Sequence, residues 1–194
     1  MKILISQLEY IRPPRNFVFD ALERSYYGFL QGHELVPVPN IIKVPDNDYD
    51  CLMLTGGPDS VARNQTENLL YQDAIKNSKP VIGICHGAFV INDICKGING
   101  HVKGHVDADI EITMEGQDHI VKCFHSQNIE KLAKDFVAVA HDKQGNIEAF
   151  KHNTLPVWGI VWHPERMDEP VLPSEVADLL STDHLNLLNL FPTI

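Results

Sequence analysis

Val81-Ile82-Gly83-Ile84-Cys85-His86-Gly87-Ala88-Phe89 is the stretch that decides how this chain folds. Val81, Ile82 and Ile84 are β-branched or apolar with no polar residue between them, the pattern of a strand buried on both faces of a sheet. A helical pattern follows over residues 86–94. Between the two stands Gly-x-Cys-x-Gly, a tight strand-to-helix turn that projects its central side chain at the carboxyl edge of the sheet. Glycine is required on either side because a Cβ there would collide where the strand doubles back. The positive end of the helix is expected to favour a Cys85 thiolate. From this pentapeptide alone, a buried cysteine in an ordinary turn remains an alternative.

Working outward, apolar runs alternate with helical patterns, as in an α/β domain on a mostly parallel sheet flanked by helices. Strands are expected at residues 2–6, 34–38 and 51–54. Helix is expected from about Phe17, where Val18, Leu22, Tyr26 and Phe29 repeat at spacings of three and four. A second helix is expected over 67–76, capped by Thr66 and ended before Pro80. After Lys96 the texture changes. Segments at 109–113, 120–124, 137–140 and 157–161 follow one another through turns, predicting a small antiparallel extension and a last core strand. Residues 176–190 carry helical spacing, broken near Ser181-Thr182. One domain spanning 1–194 accounts for all of it.

Two further stretches bear on Cys85. Leu54-Thr55-Gly56-Gly57-Pro58 is another strand-end glycine turn, whose backbone N–H groups can join that of His86 in an oxyanion hole. Gly159-Ile160-Val161-Trp162-His163-Pro164-Glu165 delivers a histidine at a strand end with an acid two residues on. Pro164 biases His163 towards an extended backbone, which points His163 and Glu165 to the same side. Cys85, His163 and Glu165 thus supply a nucleophile, a base and an acid to orient it.

Gly-Ile-Cys-His-Gly, Leu-Thr-Gly-Gly-Pro and Trp-His-Pro-Glu, in this order and at these separations, resemble the class I (triad-type) glutamine amidotransferases. The resemblance runs from the first strand to Glu165. It implies Cys85 as nucleophile, His163 as base and acid, Glu165 as orienting acid, Gly57 and His86 as backbone oxyanion donors, and Gly56 at the substrate. It implies no metal and no organic cofactor. Within the family the chain is more similar to the γ-glutamyl hydrolases, through Ile5-Ser6-Gln7, Asp20-Ala21-Leu22, Val38-Pro39-Asn40 and Gly145-Asn146-Ile147-Glu148-Ala149. Phe124-His125-Ser126-Gln127 resembles their segment that cradles the glutamyl α-carboxylate and amine. Phe89 departs from the pattern, since the family usually has Gln four residues past the nucleophile.

The implied reaction is hydrolysis of a γ-glutamyl amide. Phe89 removes a polar contact near free glutamine, so binding energy is expected from the leaving group. Arg12 and Arg15, flanking Pro13-Pro14, are candidates to hold phosphates, with solvated surface arginines as an equal alternative. The leaving group is then a nucleotide-linked phosphoramidate, as in capsule modification. The rivals are hydrolysis of small-amine γ-glutamyl amides, a glutaminase subunit that passes ammonia to a partner synthetase, and a catalytically dead binding module.

The 194 residues carry 16 basic and 26 acidic side chains, a net charge of −10, which excludes nucleic acid and anionic membrane as general partners. No apolar run approaches the ~20 residues of a membrane span, and Met1–Ile5 running into Ser6-Gln7 is no secretory signal. The expectation is a soluble, cytoplasmic protein acting on a small molecule, its oligomeric state open. Cys51, Cys95 and Cys123 read as small buried hydrophobes. His101 and His105 read as loop histidines, and Asp46, Asp48 and Asp50 as a solvated loop.

Overall fold

The structure is a computed structural model that describes residues 1–45 and 48–181. Its centre is a nine-stranded sheet. Strands β1 (Lys2–Ser6), β4 (Glu34–Val38), β5 (Cys51–Leu54), β6 (Val81–Ile84) and β13 (Val157–Ile160) form the parallel half. Strands β8 (Val106–Met114), β9 (Gln117–Phe124), β11 (Phe136–Asp142) and β12 (Ile147–His152) continue it antiparallel, in the order β4-β1-β5-β6-β13-β12-β11-β8-β9. The expected antiparallel extension is therefore the far half of the same sheet. Two hairpin-like pairs stand outside it, β2 (Leu8–Arg12) with β3 (Phe17–Ala21), and β7 (Ile98–His101) with β10 (Gln127–Lys131).

The strand period of two divides the core between the two faces. Ile3, Ile5, Met53, Ile82 and Ile84 pack on one face with Tyr26, Trp162 and Val176. Leu4, Leu52, Leu54 and Val81 pack on the other with Leu70, Phe89 and Phe150. Because both faces are covered, these strands read as continuous apolar runs. Helix α2 (Val61–Lys76) and helix α3 (His86–Ile94) lie against the second face, and α1 (Ser25–Phe29) and α4 (Ser174–Leu180) against the first. No described helix is long and apolar enough to cross a membrane.

Two sequence expectations are corrected. The helix from Phe17 is instead strand β3 followed by the single turn α1. Val18 is exposed along with Phe17 and Phe19, so the three-and-four spacing of Val18, Leu22, Tyr26 and Phe29 marks no continuous buried stripe. Helix α2 begins six residues earlier than expected, at Val61, because Ser60 is extended and its side chain accepts the Arg63 N–H. Thr66 lies inside the helix and its hydroxyl accepts the Ile42 N–H. Helix α4 ends at Leu180, and residues 182–190 of the expected C-terminal helix lie outside the described residues.

Candidate active site

Cys85 sits at the end of β6 with φ 48° and ψ −102°, a strained conformation held from both sides. Its N–H donates to the Ile160 carbonyl at 2.7 Å and its carbonyl accepts from Ala88 and Phe89 in the first turn of α3. A Cβ on Gly83 would lie 2.6 Å from the Gly87 carbonyl carbon, and one on Gly87 would overlap the Leu54 carbonyl. Glycine is needed at both because strand, turn and helix pass at backbone contact.

His163 arrives from β13 through Val161-Trp162, its N–H donating to the Lys122 carbonyl at 2.9 Å. Its Nδ1 lies 2.7 Å from Glu165 Oε1, and both side chains are buried. The short 3-10 turn Pro164–Arg166 places that acid. Gly56 lies between His163 and Cys85. A Cβ there would meet His163 Cε1 at 2.6 Å and Cys85 Cβ at 3.5 Å. The three motifs, far apart in sequence, thus converge on one point.

A cavity of about 270 Å³ opens onto Cys85, lined among others by Gly57, His86, Phe89, His125, Ser126 and Gln127. Phe124 also lines it and meets the His163 ring edge-on at 5.5 Å between centroids. The structure so brings together Cys85, His86, Gly57, Phe89 and the whole Phe124–Gln127 segment, with Gly56 behind them. Arg12 and Arg15 are not brought there. They sit at the far end of the β2–β3 hairpin, in a separate surface hollow with Pro13, Pro14 and Phe17. Leu8, at the near end, touches Gly57, and four strand residues carry the chain about 13 Å onward to Arg12.

The protonation of the thiol departs from the sequence expectation. Burial, reinforced by the Glu165 charge, pushes Cys85 up to about 12, against the lowering influence of the His86 N–H, Arg166 and Arg63. One helix N-terminus does not outweigh desolvation here, so the resting side chain is a thiol. Cys51 is pushed up equally, to about 12, by burial.

Several neighbours of these residues carry no distinctive sequence signal. Arg166 grips Glu23 with two hydrogen bonds of 3.0 and 2.7 Å and stacks 4.5 Å over the Phe124 ring, which abuts His163. Gly56 N–H donates to the Tyr26 hydroxyl at 3.0 Å. Arg63 and Glu67 are wholly buried beside the Thr55–Pro58 turn. The i,i+4 spacing of Arg63 and Glu67 is visible in the sequence, but it reads equally as a solvated helix pair. Asp59 and His101 also line the cavity.

The expected loop histidine His105 is instead buried, with Nε2 3.1 Å from Asp142 and 3.4 Å from Glu148. His125 Nε2 faces the other Glu148 oxygen at 3.5 Å, and Cys123 Sγ lies 4.0 Å from it. Two buried trios, His105-Asp142-Glu148 and Cys123-His125-Glu148, thus carry donor types that metals accept. Asp142 also accepts hydrogen bonds from Gln144 and Asn146 within its own hairpin turn, which explains its place without an ion. Asp48 pairs with Lys79 and Asp50 accepts the Lys2 N–H, while Asp46 lies outside the described residues.

Comparison with known proteins decides the family. Residues 31–178 match the model of "Glutamine amidotransferase class-I". The chain belongs to the class I glutamine amidotransferase family. It is an amide-hydrolysing enzyme. A "Gamma-glutamyl-CDP-amidate hydrolase" of Campylobacter jejuni is 31% identical over 128 residues, 59% of this chain and 62% of that protein, so the match spans less than two thirds of the relative. A glutamine-hydrolysing GMP synthase subunit of Methanosarcina barkeri is 27% identical over 77% of this chain and 81% of that one. Among solved structures, PurLQS from Thermotoga maritima superposes with a TM-score of 0.70 at 19% identity, covering 96% of this chain and 98% of that one. A glutamine amidotransferase of the same organism gives 0.65 at 12% identity over 98% and 86%. Both share the fold of this chain.

Proposed function

We propose that the protein hydrolyses γ-glutamyl amides through a Cys85-His163-Glu165 triad. The observation that carries this is the buried His163–Glu165 pair facing Cys85 across Gly56. Cys85 Sγ attacks the γ-carbonyl carbon while its proton passes to His163 Nε2, and Glu165 stabilises the imidazolium through Nδ1–H. Transfer during attack suits a thiol whose free ionisation lies near 12. The tetrahedral oxyanion is met by the N–H groups of Gly57 and His86. His163 then returns its proton to the leaving nitrogen, the C–N bond breaks, and a γ-glutamyl thioester and free amine or amidate result. Water attacks the thioester, giving its proton to His163, and glutamate leaves as Cys85 recovers its thiol.

The glutamyl moiety fits the Phe124–Gln127 wall of the cavity, which Phe89 lines beside His125 at 6.0 Å between ring centroids. For the leaving group we propose a nucleotide-linked phosphoramidate, in keeping with the Campylobacter relative's name and with the apolar Phe89, which offers glutamine no hydrogen bond. A second reading, a glutaminase subunit serving a partner synthetase, is favoured by the GMP synthase relatives. Turnover of the purified chain alone separates them. A γ-glutamyl phosphoramidate consumed at least tenfold faster than glutamine supports the first, whereas glutamine turnover that rises only with a partner supports the second.

A further inference from the structure

We propose that Arg63 and Glu67 form a buried brace that sets the oxyanion hole, one ion pair fixing both peptide groups that face the reacting carbonyl. The inference rests on the triad reading above and assigns two positioning residues to it.

Helix α2 starts at Val61 behind its cap Ser60, which puts Arg63 and Glu67 one turn apart and directs both inward against the Thr55–Pro58 turn. Neither is exposed at all, and Arg63 Nε donates to Glu67 Oε1 at 2.9 Å. Fully buried ion pairs are often no better for stability than apolar residues of similar volume, so their placement here asks for another role. The guanidinium supplies it. Nη2 donates to the Thr55 carbonyl at 2.5 Å and the Gly56 carbonyl at 3.2 Å, and Nη1 to the Pro58 carbonyl at 2.9 Å. The peptide joining Gly56 to Gly57 is trans, so a Gly56 carbonyl turned to Arg63 puts the Gly57 N–H on the opposite side. That side is the cavity which Gly57 lines with Cys85. A peptide between two glycines has no side chain to hinder its rotation, and Arg63 is what holds it.

Glu67 fastens the other donor. Its Oε2 lies 3.0 Å from His86 Nε2, and its Oε1 also accepts the Ser6 hydroxyl at 2.7 Å. His86 opens α3 directly after Cys85, so holding its ring steadies the turn that carries its N–H. Burial acts to raise the Glu67 carboxyl, but Arg63, His86 and Ser6 together keep it below its ordinary range. The carboxylate is therefore charged and the brace is intact at neutral pH.

The test separates transition-state from ground-state binding in Arg63→Lys and in the double variant Arg63→Met/Glu67→Gln, which leaves no unpaired buried charge. Glutamate γ-semialdehyde is the probe. Cys85 Sγ adds to its aldehyde carbon, the thiol proton passes to His163, and the former carbonyl oxygen becomes the oxyanion. Loss of one oxyanion donor costs about 10²–10³ in kcat, so partial misaim should cost about 10- to 100-fold in kcat with KM within about threefold. Semialdehyde affinity should fall by the same factor and glutamate affinity should not. Folding of each variant is checked by circular dichroism, and should Arg63→Lys not fold, the double variant decides. In a folded variant, unchanged kcat, or equal losses in semialdehyde and glutamate affinity, would overturn the brace. Failure of the triad reading is seen separately, as turnover that survives Cys85→Ala.

Discussion

Strands β1 and β6 run parallel to the same edge of the sheet with β5 between them, yet the segments after them are opposite in character. After β6 the chain turns within one strained residue into a helix, with Cys85, His86, Phe89 and their neighbours all buried. After β1 it runs out into the β2–β3 hairpin, where Tyr10, Ile11, Phe17 and Val18 are more than half exposed. The elbow is fixed by backbone contacts from two other elements, β5 and β13. The hairpin is fixed mainly by its own ladder and by Asp20, which accepts from Asn40 N and Nδ2 at 3.2 and 2.7 Å. The proposed chemistry lies at the over-determined turn, and the arginines on the loose one line a separate hollow.

The largest effect expected from this contrast is at the elbow. Cys85→Ala should lower kcat by about 10⁶ with the fold retained in circular dichroism, as loss of a triad nucleophile does in a comparable hydrolase. His163→Asn should cost nearly as much. Glu165→Gln should be milder, about 10⁴, because the acid orients the imidazole and stabilises its charge. Equal losses at His163 and Glu165 would assign Glu165 a chemical step of its own.

A smaller effect concerns the thiol. With Cys85 raised to about 12, its alkylation by iodoacetamide should quicken about tenfold per pH unit from pH 6 to 9 without a plateau. A plateau near pH 7 would mean a preformed thiolate. Stability follows the same sign. The folded chain keeps protons on Cys85 and Cys51 that the unfolded chain releases above about 9, so this contribution, complete below that pH, is lost as pH rises towards 12. Tm should therefore fall between pH 9 and 11, and less steeply in Cys51→Ala.

The smallest effect is expected at the hairpin. Arg12→Ala and Arg15→Ala should each change kcat/KM for a γ-glutamyl phosphoramidate by less than about twofold, as exposed side chains outside the cavity do. A loss of about 10- to 100-fold, the size of a charge-assisted phosphate contact, would instead place the hairpin over the cavity during turnover.

The same contrast explains what the sequence makes legible. Glycine flanks at Cys85, proline after His163 and continuous apolar runs in β5 and β6 are local signals, and the elbow, the sheet and its order in the chain follow from them. The hairpin is illegible because Val18, Leu22 and Tyr26 satisfy helical spacing, while the turn at Pro13-Pro14-Arg15-Asn16 alone marks two strands. Arg63, Glu67 and His105 are hidden for another reason. A charged or imidazole side chain is ordinarily solvated, and only tertiary packing shows that these are buried with partners at about 3 Å.

The claim on which the rest depends is that Cys85 carries the γ-glutamyl group between the two halves of the reaction. Rapid acid quench of the enzyme turning over a γ-glutamyl substrate, followed by intact-mass and peptide analysis, reads this directly. The account predicts one glutamyl mass added per chain, on the peptide that contains Cys85, and no adduct in Cys85→Ala. An adduct on another residue, or turnover persisting in Cys85→Ala, would contradict it.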